Sequence, residues 1–492
     1  MTIGRASAFL AAFALAAAGA FPAAAGQDGQ PALQEQAASL VAAYEKNAKA
    51  VVAVSVVDLK TGQQLAAIRQ DKLCVPASNQ KLLTSAFALA RLGVDFQFTT
   101  SVYLVGKDIV IVGDYDPALG DARVAAESGH SIYSELDRWA AAIKKELGAD
   151  PVGDILVCVR RSRRHYRHAD WPGAQRGKWY AAPVAALNFN NNCLDVTFQL
   201  DKGRATPVIS PATRFINIVN KLKVGPRHRW SLRSNSDDSV LTISGTIKVA
   251  TTEALSVAVN DPPLLLGRAL AERLRQCGLA LPGKVRRADL ASVDLKGAKL
   301  IAQTATPLGV VMGRANKQSL NMAAECMFLR AGDGSWDGSA KIMSRTLVEN
   351  YGLQAKSFLV RDGGGLSARN RVSPEALTKL LSQMLKRPDA QALLASLPVS
   401  GVDGTMQKRL AEPEYRGRVL AKTGRLAGVY CLSGYVLGDD GKPALAFAIL
   451  ASGADARARS LQDQLCRLLV ERVSAGQKAA PARRDGPDAA RP

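Results

Sequence analysis

Pro76-Ala77-Ser78-Asn79-Gln80-Lys81-Leu82-Leu83 holds the one Ser-x-x-Lys of the 492-residue chain. Leu82, Leu83, Ala86, Leu89 and Ala90 recur at helical spacing behind it, and Gly93 follows as a stop. Residues three apart share a helix face, so this spacing sets the Ser78 hydroxyl beside the Lys81 amine at the positive end of a helix. A serine hydroxyl is a weak nucleophile until a base takes its proton. A lysine becomes that base when burial or nearby positive charge lowers its pKa. Taken alone, the pattern also fits a capping serine followed by a solvated lysine.

Two further motifs give it a context. Ser319-Leu320-Asn321 is a polar break inside an apolar helical pattern running from Pro307 to Leu329. Lys422-Thr423-Gly424 lies in one of a pair of strand-like runs, Val419 to Thr423 and Gly428 to Leu437. Ser-x-x-Lys, Ser-x-Asn and Lys-Thr-Gly in this order form the signature of active-site serine acyltransferases. In that chemistry Ser78 attacks a carbonyl and Lys81 is the base. Ser319 bridges the proton to the leaving nitrogen, and Asn321 holds Lys81 and the substrate amide. Lys422 supplies positive potential for a substrate carboxylate and helps keep Lys81 neutral. The backbone N–H groups of Ser78 and Arg425 are the candidate oxyanion hole. Thr423, Gly424 and Arg425 are candidate substrate-binding positions. Lys60-Thr61-Gly62 repeats the third motif, but it falls between two strand-like runs and precedes Ser78, so it reads as a hairpin turn. The four histidines, His130, His165, His168 and His228, all lie between residues 101 and 300, which makes a serine–histidine triad the poorer explanation.

Composition bounds the setting. Hydrophobic residues make up 47% and charged residues 22%, ordinary values for a globular protein, but the net charge of +21 points to anionic polymers. Arg5, the uncharged run Ala8 to Ala20 and Ala23-Ala24-Ala25 read as a cleaved export signal over residues 1–25. No apolar run reaches the ~18 residues of a membrane span. An exported protein does not spend its charge on nucleic acid; anionic cell-envelope polymers are the candidate partners. Seven scattered cysteines without a Cys-x-x-Cys argue against a metal cluster.

The segments divide as follows: helical and hairpin texture over 26–100, a β-rich stretch with some helices over 101–300 that reads as an insertion because helical texture resumes after it, mixed α/β texture over 301–473, and a disordered Ala/Pro/Arg tail over 474–492. Gly283 to Ala298 reads as a connection. Ser134 to Leu147 and the segment starting at Asp261-Pro262-Pro263 read as helices.

The chain resembles the D-alanyl-D-alanine carboxypeptidase/endopeptidase family, the low-molecular-mass class C penicillin-binding proteins. Besides the three motifs, Val112 to Leu119, Tyr180 to Leu187, Asp362 to Ser367, Leu397 to Thr405 and Ala421 to Leu426 carry the resemblance, over roughly residues 30 to 470. It implies a penicillin-recognising, β-lactamase-like α/β catalytic domain, an antiparallel sheet flanked by helices, split by inserted β-rich domains. It also implies an exported serine DD-peptidase that acts on peptidoglycan stem peptides without metal or cofactor and takes β-lactams as inhibitors. The alternatives are a β-lactamase or esterase on the same scaffold, and a catalytically weak basic protein that binds the envelope. Three departures stand out. Arg425 occupies a position where the family usually has a carboxylate-binding threonine. Gly364 occupies a position where it usually has a serine. The run Arg160 to Arg164 (with Ser162 inside it) follows a strand after which the family tends to have an acid, and this suggests a lost or reversed preference for cationic stem peptides.

Overall fold

The computed structural model describes residues 32–159 and 166–478. The signal expected over 1–25, the run Arg160 to Arg164 and the chain beyond Lys478 lie outside these residues. Among the described residues no helix is long and apolar enough to cross a membrane.

Val51–Asp58 and Gln64–Ile68 form the expected hairpin. At its turn Asp58 Oδ1 accepts from the N–H groups of Lys60 (2.9 Å) and Thr61 (2.8 Å), and Gly62 sits at φ +75°. The first Lys-Thr-Gly is therefore turn chemistry. The hairpin joins an antiparallel five-stranded sheet in the order Val419–Leu426, Val429–Leu437, Pro443–Ser452, Val51–Asp58, Gln64–Ile68. Val429–Leu437 is buried along almost its whole length, which explains its continuous apolar run: both faces of the sheet are covered. Leu33–Lys46 and Ala458–Lys478 cover one face with Val41, Leu461, Leu465 and Leu469. Gln80–Leu92, Asn321–Ala331, Trp336–Tyr351 and Pro374–Met384 fill the other side. The last helix runs through Ser474 to Lys478, past the boundary expected at 473. The Ala, Gln and Lys of this stretch favour helix, and Arg418 reaches the Ser474 hydroxyl (3.4 Å).

A second five-stranded sheet has the order Val285–Asp289, Ile155–Val159, Asp108–Gly113, Gln97–Val105, Lys299–Pro307. Its first three strands run parallel. The helices Ser134–Leu147 and Pro262–Gln276 pack on it through Trp139, Ile143, Leu266 and Leu270. Both helices match the expectation, and Asp261 caps the second by accepting from the Leu264 N–H (3.1 Å). Val285–Asp289 corrects the reading of Gly283 to Ala298 as a mere connection. Arg286 and Arg287 hide the strand pattern because it lies at a sheet edge, where Arg286 pairs with Asp154 at 2.6 Å. Two three-stranded sheets between Cys193 and Ala258 face each other across Leu194, Val196, Phe198, Leu241 and Ile243. One body of the stretch read as inserted is a helix-covered, partly parallel sheet. Not all of the stretch stands apart: Trp171, Ala181 and Val184 are buried in the same core as Leu83 and Phe328.

Candidate active site

The site sits where the strand Val419–Leu426 meets a tight turn at Ala77–Asn79, just before the helix Gln80–Leu92. Ser78 is therefore on an elbow that feeds the helix, not inside it. Ala77 holds φ +46° there, a conformation that L residues adopt at a cost. Two contacts fix the elbow against the sheet. Asn79 donates its amide to the Lys422 carbonyl (2.8 Å). Gly424 comes so close that a Cβ on it would lie 2.8 Å from the Pro76 carbonyl oxygen. Gly424 is thus a steric requirement of the third motif.

Lys81 is fully buried, and its Nζ has three neighbours: Asn321 Oδ1 at 2.6 Å, the Gly364 carbonyl at 2.6 Å and Ser78 Oγ at 3.0 Å. A neutral amine has two N–H donors and one lone pair. Asn321 and Gly364 can only accept here and take both donors, so the lone pair is left for the Ser78 hydroxyl proton. Burial lowers the Lys81 pKa to about 8, opposed by the negative charges of Glu325 and Asp362. Lys422 is buried as well, its Nζ 2.9 Å from Ser319 Oγ and 2.8 Å from the Thr423 carbonyl. Burial, and then the nearby Lys81, push its pKa well below the ordinary lysine value. Ser319 stands at φ +59°, a second strained non-glycine position in the site. Asn321 opens its helix and donates to the Tyr180 carbonyl (2.7 Å).

The structure thus brings Ser78, Lys81 and Asn321 into one hydrogen-bonded group, and sets the Ser319–Lys422 pair close enough for Lys81 to act on the Lys422 charge. Thr423 lies at the rim of the site, where its hydroxyl meets that of Thr405 (2.8 Å). Arg425 is exposed at the end of the strand, with its guanidinium over the ring of its cross-strand partner Tyr430. Lys317 pairs with Asp403 (2.5 Å) and accepts the Thr405 N–H (3.0 Å), so the loop Leu397 to Thr405 clips the second motif to the third. A cleft lined by Lys317, Gln318, Asp403 and Thr405 opens next to Ser319.

Sequence reasoning missed Glu325. It lies one turn after Asn321, fully buried, and accepts the N–H groups of Gly363 (2.8 Å) and Gly364 (2.6 Å). Burial and Asp362 raise its pKa well above the ordinary carboxylate value. A glutamate among apolar helix positions was the available signal. Asp362 anchors the same turn from the other end by accepting from Gly365 N (2.8 Å), Ser367 N (2.6 Å), Asn370 Nδ2 (2.8 Å) and Trp171 Nε1 (2.9 Å). The departure at Gly364 now has a physical reason. A Cβ there would lie 2.8 Å from Glu325 Oε1, an oxygen pinned by the Gly364 N–H itself.

His168 is otherwise engaged. Its Nδ1 accepts the Asp170 N–H (3.0 Å), and its ring packs on Trp336. All seven cysteines are unpaired thiols.

The model of the D-Ala-D-Ala carboxypeptidase 3 (S13) family matches residues 33–471, nearly all of the described chain. The chain belongs to this family. It is thus a member of a family of serine-type D-Ala-D-Ala carboxypeptidases, and its fold is that of the penicillin-recognising enzymes. The chain is 28% identical over 454 residues to a D-alanyl-D-alanine carboxypeptidase of an Actinomadura species, covering 86% of this chain and 81% of that one. It is 26% identical over 398 residues to the D-alanyl-D-alanine carboxypeptidase DacB of Haemophilus influenzae, covering 77% of this chain and 81% of that one. Among solved structures it resembles penicillin binding protein 4 of Haemophilus influenzae, with a TM-score of 0.72 at 22% identity, covering 88% of this chain and 99% of that one.

Proposed function

We propose that this family member is an exported serine DD-peptidase that cleaves D-Ala-D-Ala termini, or D-Ala cross-links, of peptidoglycan stem peptides through an acyl-serine intermediate, and that penicillins inhibit it. The observation that carries this reading is the Lys81 amine, with both donors taken and Ser78 Oγ at 3.0 Å. Ser78 Oγ attacks the carbonyl carbon of the penultimate D-Ala as its proton passes to Lys81. The oxyanion is held by the Ser78 and Arg425 N–H groups. As the C–N bond breaks, the leaving amine takes a proton relayed from Lys81 through Ser319, and the acyl-serine remains. Water then loses a proton to Lys81 as it attacks the ester, and Ser78 leaves with a proton restored. Lys422, Thr423 and Arg425 face the substrate carboxylate. Peptidase and endopeptidase chemistry differ only in the leaving amine.

The same geometry speaks against fast turnover of a penicilloyl adduct. Both buried carboxylates nearest the cluster, Glu325 and Asp362, are committed to backbone N–H groups of the glycine turn and are not free to activate water.

The deciding experiment labels the mature protein with a fluorescent penicillin, beside Ser78→Ala. A stable adduct that the substitution abolishes is the expected result. An unlabelled wild type would overturn the reading and favour a wall-binding role, and rapid loss of label would favour a β-lactamase.

A further inference from the structure

The three strands Asn217–Val224, Val240–Ile247 and Arg229–Ser234 form a sheet with one face in the core and one outside. Leu241, Ile243 and Ile247 are buried, with Ile218, Leu222, Trp230 and Leu232 packed beside them. Register then fixes the outer face, because directly paired residues point to the same side. Thr246 lies between Lys223 and Arg229, Ser244 between Lys221 and Ser231, and Thr242 between Val219 and Arg233. A hydroxyl-bearing central strand is thus flanked by two lysines on one side and two arginines on the other. Neighbouring strands are ~4.8 Å apart and alternate residues ~6.7 Å apart along a strand, so the four cations border a patch about 10 Å wide.

This face carries no carboxylate. All four cations are exposed, and none makes an ion pair among the described residues. The nearest acids in sequence are engaged elsewhere: Asp237 accepts from the Ser239 hydroxyl (2.7 Å), and the buried Asp238 accepts from the Asn260 amide (3.0 Å). Four like charges side by side repel, and no ion pair among the described residues offsets this. An anionic occupant would.

We propose that this face docks the carboxylate-bearing glycan–peptide polymer that carries the substrate. The proposal rests on the peptidase reading for the identity of that polymer. Chemistry selects it over other polyanions. The face is hydroxyl-rich, and Val219 and Val240, its two apolar side chains, are small and half-buried, so it has no large apolar group to insert into a lipid surface. Trp230 is turned inward against Phe198 (5.9 Å), so its ring is not a platform for stacking bases on this face.

The test uses the whole mature protein as Ser78→Ala, so that the polymer is not consumed, with and without Lys221→Ser, Lys223→Ser, Arg229→Ser and Arg233→Ser combined. Co-sedimentation with purified peptidoglycan sacculi is measured in low salt and in 0.5 M salt, where the Debye length falls to about 4 Å. Anionic phospholipid vesicles serve as the second probe. The expected result is binding to sacculi that weakens about tenfold in the fourfold variant and in high salt. A Lys221→Arg, Lys223→Arg control should bind as strongly as the parent, and a melting curve verifies folding. With Ser78 restored, hydrolysis of a soluble stem pentapeptide should not change in the fourfold variant. Equal binding by the fourfold variant would overturn the proposal, as would binding to vesicles in place of sacculi. Failure to hydrolyse the pentapeptide, with sacculus binding still dependent on the patch, would sink the peptidase reading and leave the docking face standing.

Discussion

Glu325 holds Gly364 by its N–H at 2.6 Å, and Gly364 offers its carbonyl to the Lys81 amine at the same distance. The base is therefore aimed at Ser78 by a carboxylate that never touches it. Glu325→Ala leaves two buried N–H groups unpaired, at about 1–3 kcal/mol each, and should lower both the melting temperature and the acylation rate. Glu325→Gln keeps one acceptor but turns an NH2 toward the other N–H, so an intermediate loss of about tenfold in acylation is expected. The pH profile separates positioning from mere packing. Burial and Asp362 push the Glu325 pKa up, the two N–H donors oppose this, and the negative charge that they favour raises the Lys81 pKa. Glu325→Gln should therefore move the rise of the acylation rate to lower pH, and an unmoved midpoint would mean that Glu325 only packs.

The wild-type profile follows from Lys81 itself. Its pKa is lowered to about 8, chiefly by burial. The reactive form is the neutral amine, so the rate constant for penicillin acylation should rise about tenfold per pH unit below 8 and level off above it. Stopped-flow labelling between pH 6 and 9.5 measures this. A rate that is flat across that range would remove Lys81 as the titrating base. Lys81→Met should lower acylation by at least about a hundredfold.

Lys422 should change its charge when substrate arrives. Burial and Lys81 both disfavour its ammonium in the free site. A bound carboxylate favours the charged form and raises the pKa again. Binding of a D-Ala-D-Ala peptide to Ser78→Ala should then take up protons at pH 8. Calorimetry in buffers of different ionisation enthalpy gives the number. No uptake, or release, would mean that Lys422 is already charged in the free enzyme.

How much of this was legible depends on whether the chemistry is local. Ser78 and Lys81 are one turn apart, and Ser319 and Asn321 share one short break, so sequence spacing alone sets each pair. The sheet could be read because the strands around Lys422 are continuous apolar runs. Glu325 was not legible, because its partners Gly363 and Gly364 lie far along the chain and only tertiary packing brings them to it. The contacts of Trp171 and Tyr180 were hidden in the same way: both residues come from the stretch read as inserted, yet one donates to Asp362 and the other accepts from Asn321. The strand Val285–Asp289 was masked by arginines that only its edge position tolerates.

Gly365 sets a steric limit on the site. It stands at φ +84°, and a Cβ on it would lie 1.9 Å from the Ala77 carbonyl oxygen. That neighbour is backbone on the nucleophile elbow and cannot give way without moving Ser78. Gly365→Ala should destabilise the fold by about 2 kcal/mol or more, since both the left-handed backbone and the clash oppose it. It should also reduce penicillin labelling further than partial unfolding explains. Thermal melts beside labelling of the folded fraction test this, and normal labelling of the folded variant would show that the elbow does not need Gly365.

Arg425 is the departure most open to a direct test. Its guanidinium is exposed over Tyr430, at the end of the strand that carries Lys422 and Thr423. From there it can swing to form two N–H···O bonds to a terminal carboxylate. Removing such a contact made to the bound substrate raises KM and leaves kcat nearly unchanged. Arg425→Ala should therefore raise KM for a D-Ala-D-Ala peptide about tenfold, a modest loss for a bidentate pair because the site is exposed to solvent. Activity toward the same peptide with its C-terminus amidated should be equally low in wild type and variant, because the contact is then absent from both. Surface exposure predicts an unchanged melting temperature. If KM stays put while the melting temperature falls, Arg425 serves only to cover Tyr430, and the carboxylate is held by Lys422 and Thr423 alone.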